Sequence, residues 1–557
     1  MAVTKTKKPK PSPDLTFDLF APGMTPLHRA GLGGLAATLV AMERRNKLGL
    51  ISAEARPGDW SDHKPPWTLE SDRLTLHFGE PQQAGDYLRK LFTFAFAIKD
   101  KLIDLPGTYR DESNRAVRAE LQHGLTLTFL QFGPHRKLDT ATMQSFDVDG
   151  DGSAAVVVGL RACQSYLHQD AIKRLKLLDK RERIVWKATE TPSAFNPGAV
   201  VRHNAYGSDT RIEELPPAGI AACFALVGCL SLAVNRGLGV LLIPNVDDLE
   251  KFAKARPRMT PTTLRECRVA GTSDAALQAQ TRLRARGVMQ RHGLSGFDVM
   301  RLRPTQWNEK QKTRVATVNV PNGNDLVLSR FDLVLRHLPP RTYAYAESVV
   351  RSRGRSKRTQ GTVYVWRWTD SIVRPLVADN LASGRRWYTG FTRLMTERDS
   401  SHHPNHERVS YEAEGLYAMI NEDQHQMTEE NERVFIAAIH QAISNQLGKI
   451  KSETLGRGAN ANAPLSQAVK NRWNNFMNRL RLSLINAKTE IQVRGAINLL
   501  LIRGGWIEGI KNEEGLNHVH HLIFHDDWQR LRDLTMLAVA SHTSRVEKDS
   551  SENSAET

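Results

Sequence analysis

The sequence predicts an α+β protein, a mixed N-terminal α/β body with β segments followed by an all-α helical bundle. Three observations carry this. Stretches such as "PWTLESDRLTLHF" (66–78) alternate apolar and polar residues with the strand period. Beyond about residue 405 the apolar residues recur at helical spacing through four successive segments. The chain has 557 residues, 40% hydrophobic and 25% charged, ordinary for a soluble globular protein of two to four domains.

In chain order, residues 1–13 form a disordered basic tail, whose charges precede no apolar signal-peptide core. A body over 14–405 follows, with possible subdivisions near 150 and 300. It begins with "PLHRAGLGGLAATLVAMERR" (26–45), where Gly31–Ala36 spells G-x-G-x-x-A. A dinucleotide fingerprint needs a strand before the first glycine. Here two prolines and no β-branched run precede it, so the glycines belong to a helix that packs closely on a neighbour. "LRKLFTFAFAIKDKLIDLPG" (88–107) is apolar and partly aromatic, and residues 160–190 read as a basic helical stretch. "AGIAACFALVGCLSLAV" (218–234) is marginal for a bilayer span and rich in small residues, so it reads as a core helix. "GVLLIPNVDDLEKFAKAR" (239–256) reads as strand then helix, "QTRLRARGVMQRHG" (280–293) as an Arg-rich helix. "TRVATVNVPNGNDLVLSRFDLVLRHLPPR" (313–341) is the clearest β region, with "PNGND" as its turn. The bundle spans 406–545, interrupted by the loop "GRGANANAP", and 546–557 is a second disordered tail.

Lys and Arg number 77 against 60 Asp and Glu, a net charge of +17. That surplus favours a polyanionic partner, most simply nucleic acid, over a membrane. The four cysteines, Cys163, Cys223, Cys229 and Cys267, form no C-x-x-C pair and read as core thiols. With no export signal and no membrane span, the protein is expected in the cytoplasm.

No catalytic motif is complete, and no cofactor is expected. "QLGKIKS" lacks the upstream glycine and the hydroxyl of a phosphate loop. "FDVDGDGS" places Asp147, Asp149 and Asp151 before Gly152 like a calcium loop, but Val158 stands where a bidentate Glu belongs. A turn between strands is the simpler reading. "NHVHHLIFHDD" gathers His518, His520, His521, His525, Asp526 and Asp527. His521 and His525 share a helix face, but Leu522 replaces the glutamate of H-E-x-x-H. His402, His403 and His406 form a second group. The bland reading is a solvated or anion-facing surface. A metal-dependent nuclease using His518, His521, His525 and Asp526 is the enzymatic alternative, and a standalone nucleic-acid-binding protein is the other.

"SVVRSRGRSKRTQGTVYVWRW" (348–368) offers Arg351, Arg353, Arg355, Lys357 and Arg358 on what reads as a flexible loop. Tyr364, Trp366 and Trp368 then alternate along a strand, a spacing that suits core packing better than base stacking. Such a loop tracks phosphates, each neutralised phosphate contributing about 0.9 to the salt dependence. Arg385 and Arg386 lie nearby in sequence, and Arg472, Arg479, Arg481 and Arg494 add positive charge to the bundle. These eleven residues are the candidate nucleic-acid contacts.

Five stretches resemble the large subunit of a type I CRISPR Cascade complex, the Cas-eight family in its myxan, I-B-like variety. They are "MTPLHRAGLGGLAATL", "FAFAIKDKLIDLPGTYR", "HGLTLTFLQFGPHRK", "GVLLIPNVDDLEKFAKAR" and the terminal "DDWQRLRDLTMLAVASH". The resemblance implies a non-catalytic subunit that recognises the protospacer-adjacent motif, promotes duplex opening and stabilises the R-loop. Its implied partners are guide RNA, target double-stranded DNA and Cas-five and Cas-seven type backbone subunits. A Cas-three nuclease or a TniQ-type transposition adaptor would be recruited afterwards, for antiviral defence or guided transposition. The family's motif-reading residues do not carry over, because its members read the motif with unlike loops. The resemblance also implies a small helical subunit made by internal initiation, with Met419 and Met427 as candidate starts. Glu414-Gly415 requires a purine-rich GAR-GGN codon pair just upstream of Met419.

Overall fold

The computed structural model describes residues 14–60, 64–111, 114–131, 136–140, 142–147, 155–192, 195, 200–201, 210–234, 237–284, 292–302, 317–353, 356–398, 404–422, 427–455, 466–505 and 513–542. The chain divides into two compact units, Met1–Asn322 with Ala344–Trp368, and Gly323–Tyr343 with Thr369–Thr557.

The first unit opens with β1 (Asp14–Asp18) and α1 (Pro26–Lys47), where Thr25 caps the helix by accepting from the His28 N–H and Pro26 fills its first position. The alternating stretch is strand as expected, and it folds as a hairpin of β2 (Trp67–Leu69) and β3 (Arg73–His77), with β1 pairing antiparallel on the other side of β3. Helix α2 (Ala84–Ala95) leads into the hairpin of β4 (Ala97–Lys99) and β5 (Leu102–Asp104), then α3 (Arg115–Thr126). Two antiparallel pairs follow, β6 (Arg136–Leu138) with β9 (Cys163–Tyr166) and β7 (Thr142–Asp147) with β8 (Ala155–Leu160). The β7–β8 pairing fits the turn reading of "FDVDGDGS", although Asp149, Asp151 and Gly152 lie outside the described residues.

The basic stretch 160–190 is not a long helix. Only α4 (Ala171–Arg174) forms, because Lys176 and Glu182 adopt left-handed backbone conformations. Between them the Asp179 carboxylate accepts from the backbone N–H groups of Arg181 and Arg183 and from the Arg183 guanidinium, which fixes a turn. The two-residue strands β10 (Thr189–Glu190) and β13 (Glu213–Glu214) pair, as do β11 (Val200–Val201) and β12 (Thr210–Arg211).

The apolar run 218–234 is likewise not one helix. It splits into α5 (Pro216–Gly228) and the wholly buried strand β14 (Leu230–Val234), with Cys229 extended between them. Strand β15 (Leu238–Val246), α6 (Leu249–Met259), α7 (Thr272–Arg284), β16 (Leu294–Leu302) and β17 (Thr317–Pro321) follow. The four strands make one antiparallel sheet in the order β14-β15-β16-β17. Helix α1 packs on α5, α6 and β15. The break after α5 is held by Arg256 of α6. Its buried guanidinium donates to the carbonyls of Val227 (2.7 Å), Gly228 (3.0 Å) and Cys229 (2.8 Å), groups a helix end leaves unsatisfied.

The glycines of G-x-G-x-x-A lie inside α1. A Cβ on Gly31 would stand 1.8 Å from the Ala221 carbonyl oxygen, and one on Gly34 would stand 2.4 Å from the Gly228 nitrogen. Backbone meets backbone there, so these glycines serve helix packing as the sequence suggested. All four cysteines are buried and unpaired. Strands β18 (Arg341–Arg353) and β19 (Ser356–Thr369) form a separate two-stranded sheet.

The second unit is helical: α8 (Asp325–His337), α9 (Arg374–Ala382), α10 (Phe391–Thr396), α11 (Asn405–Ser410), α12 (Ala413–Ile420), α13 (Glu430–Leu455), α14 (Gln467–Asn486), α15 (Glu490–Gly504), α16 (Glu513–His525) and α17 (Trp528–Ser541). Helix α8 corrects the reading of 313–341 as β. "PNGND" ends β17 and supplies the helix cap, Asn324 accepting from the Val327 N–H, and buried Leu328, Phe331 and Val334 recur every three residues. The helical packing also reaches back past residue 406. Helix α17 contacts α10, α11 and α12 as well as α13, and its Asp533 carboxylate accepts from the N–H groups of Gly390 (2.6 Å) and Thr392 (2.9 Å). Among the described residues, no helix is long and apolar enough to cross a membrane.

A histidine pair lies under α17. His440 Nε2 donates to the Ala538 carbonyl (2.9 Å), Ser444 meets His542 Nε2 at 3.0 Å, and the two rings lie 5.5 Å apart. Burial pushes both imidazoles down to about 4, the charge of His440 adding to the effect on His542.

Both features can be tested by unfolding. Gly31→Ala, which must force α1 and α5 apart, should lower stability by ~3 kcal/mol in denaturant unfolding. Gly448→Ala, in α13 with open space around it, should instead be neutral or stabilise by up to about 1 kcal/mol. The histidines take up protons more readily once unfolded, so their contribution is whole above about pH 6.5 and drains away toward pH 4. Unfolding at pH 5 should cost about 3 kcal/mol less than at pH 7, and His440→Gln with His542→Gln should flatten that dependence.

Candidate nucleic-acid interface

Over its described residues, 351–353 and 356–358, the basic run is strand and not the loop the sequence suggested. The β-branched and aromatic residues flanking it, "TYAYAESVV" and "GTVYVWRW", favour extended pairing, and β18 and β19 carry that pairing to within two residues of each other. At ~3.3 Å per residue such a hairpin is about 40 Å long. Arg351 and Arg353 fall at the end of β18, Lys357 and Arg358 at the start of β19. Arg355 lies outside the described residues. The basic residues thus fall where the two strands come closest in sequence. Nearer the base of the hairpin, half-buried Trp368 sits under the Arg268 guanidinium at 5.8 Å, which agrees with its reading as a packing residue.

The other candidate arginines separate by what they already touch. Arg386 meets Glu429 at 2.9 Å and Glu432 at 3.8 Å. Glu432 is buried and also binds Arg530 (2.7 Å) and the Tyr388 hydroxyl. Arg494 pairs with Glu490 (2.7 Å) and donates to the Asp526 carbonyl (3.2 Å), which makes it a brace within the bundle. Arg472 is exposed but engages Glu453 and Thr454, and partly buried Arg481 donates to the Met477 carbonyl. Arg385 and Arg479 are exposed and lie within ion-pair distance of no carboxylate among the described residues.

The histidine-rich helix is α16. Its exposed His521 and His525 rings stand 5.6 Å apart, on one face as expected. Asp526, the carboxylate that a metal site needs, is taken by Arg530, and Asp527 caps α17 by accepting from the Arg530 N–H at 3.1 Å. No group of three or more His, Cys, Asp or Glu side chains is arranged to hold a metal ion among the described residues. His402 and His403 lie outside those residues, while His406 sits in α11 with its titration lowered by burial and by the charge of Arg481. Met419 is buried on α12, and Met427 is buried ahead of α13. A further group, Arg44 and Arg45 at the end of α1 with Arg110, carries no signal in the sequence, because Arg110 lies more than sixty residues from the other two and the three form no charge run.

Comparison with known proteins adds an independent line. The DevT N-terminal domain family matches residues 16–223, and the DevT C-terminal domain family matches residues 422–557. The chain is similar to the CRISPR-associated protein Cas8a1/Csx13 of Myxococcus xanthus (strain DK1622). The two are 32% identical over 556 residues, covering 97% of this chain and 90% of that protein.

The geometry around Glu432 makes one prediction. Arg530→Met removes the main countercharge of a buried carboxylate and should destabilise the chain by about 3 kcal/mol, read by urea unfolding. Arg385→Gln, on an exposed side chain, should change stability by less than about 0.5 kcal/mol.

Proposed function

Because the chain belongs to the Cas8a1/Csx13 family of DevT-domain CRISPR-associated proteins, we propose that it is the large subunit of an RNA-guided type I effector complex. In this reading it recognises the protospacer-adjacent motif, promotes duplex opening and stabilises the R-loop, with no catalysis of its own. The observation that carries the reading is sequence identity running through almost the whole chain. The surplus of +17 charges and the basic residues of the β18–β19 hairpin support it. Guide RNA selects the target by base pairing, and the protein handles motif and backbone, as in other RNA-guided effectors.

Residues 14–405 would form the body that faces DNA, and 406–545 the part equivalent to a small subunit. Partners would be guide RNA, target duplex and Cas-five and Cas-seven type subunits in the cytoplasm, with a Cas-three nuclease or TniQ-type adaptor arriving later. Internal initiation at Met419 or Met427 would release nearly the segment matched by the DevT C-terminal domain family, which begins at residue 422. Such a fragment would lack Gly390 and Thr392, the donors to Asp533, and Tyr388, the partner of Glu432. It would therefore need another subunit to cover that part of α17.

Purification of the tagged chain from its own operon tests this, with the RNA sequenced and the proteins identified by mass spectrometry. Uniform short RNAs with repeat-derived ends and backbone subunits are expected. A lone protein with bound transition metal and chelator-sensitive nuclease activity would refute the reading. Replacing the Met419 and Met427 codons by non-start codons should abolish a small co-purifying helical species, and its persistence would rule out internal initiation there. In the assembled complex, converting Arg351, Arg353, Lys357 and Arg358 to Gln should reduce the salt dependence of DNA binding by roughly 0.9 for each phosphate that is no longer neutralised.

A further inference from the structure

Several buried or partly buried arginines in this protein answer to a carboxylate: Arg118 to Asp100, Arg268 to Glu120, Arg183 to Asp179, Arg530 to Glu432. The last turn of α1 is different. Arg44 donates to the Tyr109 carbonyl at 2.9 Å, and Arg45 donates to the Tyr109 hydroxyl at 2.9 Å. The Arg45 guanidinium also lies between two rings, 5.6 Å from Phe94 and 5.5 Å from Tyr109. The Tyr109 hydroxyl proton goes to buried Asp104, which leaves the oxygen's lone pairs turned toward Arg45. Arg110, next along the chain, is exposed. None of the three arginines comes within ion-pair distance of a carboxylate among the described residues, although Asp111 is near enough to act on Arg44 electrostatically.

Neutral acceptors and aromatic faces orient a guanidinium without cancelling its charge. Two side chains are therefore fixed in advance and remain cationic, and a third cation stands beside them. Burial lowers the Arg44 titration, and the charges of Arg110 and Arg45 lower it further, so the three sense one another. Cations in a helix's last turn ordinarily complement its dipole, and Lys47, paired with Glu43 at 2.7 Å, does so here. That account does not reach Arg110, which is not on α1.

We infer that Arg44, Arg45 and Arg110 form a clamp for the phosphodiester backbone of a nucleic acid. Guanidinium forks match phosphate oxygens, and Arg44 and Arg45 each have donors left after binding Tyr109. The inference rests on the nucleic-acid reading given above and adds a contact point to it, in the first unit and separate in sequence from the basic hairpin.

The test is the salt dependence of binding by the purified full chain, using a short fluorescent duplex and a single strand of the same length. Changing all three arginines to Gln should reduce the slope of log affinity against log salt by about 2 to 3, whereas changing them to Lys should preserve most of it. Should the triple Gln variant fail to fold, Arg110→Gln, on an exposed side chain, should still reduce the slope by about 1. An unchanged slope in these variants, with the hairpin variant losing its share, would overturn the clamp and leave the functional reading intact. Absence of binding by the wild-type chain to either probe would overturn both. Competition by polyglutamate as effective as that by DNA would reassign the cluster to an acidic polypeptide and overturn the nucleic-acid clamp.

Discussion

The contact on which the first unit depends is the approach of α1 to α5, where Gly31 and Gly34 face Ala221 and Gly228 with no side chain between the backbones. Glycine inside a helix costs up to about 1 kcal/mol relative to alanine. Close packing offsets that cost by bringing many atoms within van der Waals range at once. Helix α5 has to end where α1 lets it, because β14 begins immediately after Cys229 and enters the central sheet. Arg256 makes that abrupt ending tolerable by satisfying three carbonyls that neither helix nor strand can serve. A buried guanidinium is costly when no carboxylate lies within ion-pair distance, as for Arg256 among the described residues, and here burial lowers its titration to about 10 while its hydrogen bonds hold it in place.

The second unit solves the same problem of buried polar groups by long-range capping. Asp533 on α17 takes the backbone donors at the start of α10, and Glu412 accepts from the Ser371 hydroxyl and the Ile372 backbone N–H. Glu432 collects Tyr388, Arg386 and Arg530. Each of these carboxylates joins segments far apart in the chain. The helices after residue 430 are consequently tied to the segment 369–420, and the helical unit is more than a terminal bundle.

Electrostatics then divides the cations into two populations. Arg386, Arg494 and Arg530 are neutralised within the fold, where they stabilise helix contacts. Arg385, Arg479 and the trio of Arg44, Arg45 and Arg110 keep their charge, and net charge of that kind acts on partners and association rates, not on the fold. A count of basic residues in sequence mixes the two populations, since pairing depends on carboxylates brought from elsewhere in the chain.

The sequence by itself determined the α+β class, the strand character of 66–78, the β15-to-α6 transition, the core role of the four cysteines and the packing role of the α1 glycines. Each of these follows from local pattern or from a motif that fails its own requirements. It also determined the family, because identity spread along the chain survives where no single motif is diagnostic. Tertiary structure decided the rest. It ended the 218–234 helix at Gly228 through Arg256, and it kept 160–190 from becoming a helix through left-handed residues and the Asp179 turn. It turned "PNGND" from a turn between strands into the cap of α8, and it placed the described part of the basic run on paired strands by pairing its flanks. It alone gathered Arg44, Arg45 and Arg110 around Tyr109, because contacts between residues tens of positions apart leave no periodic trace in the sequence.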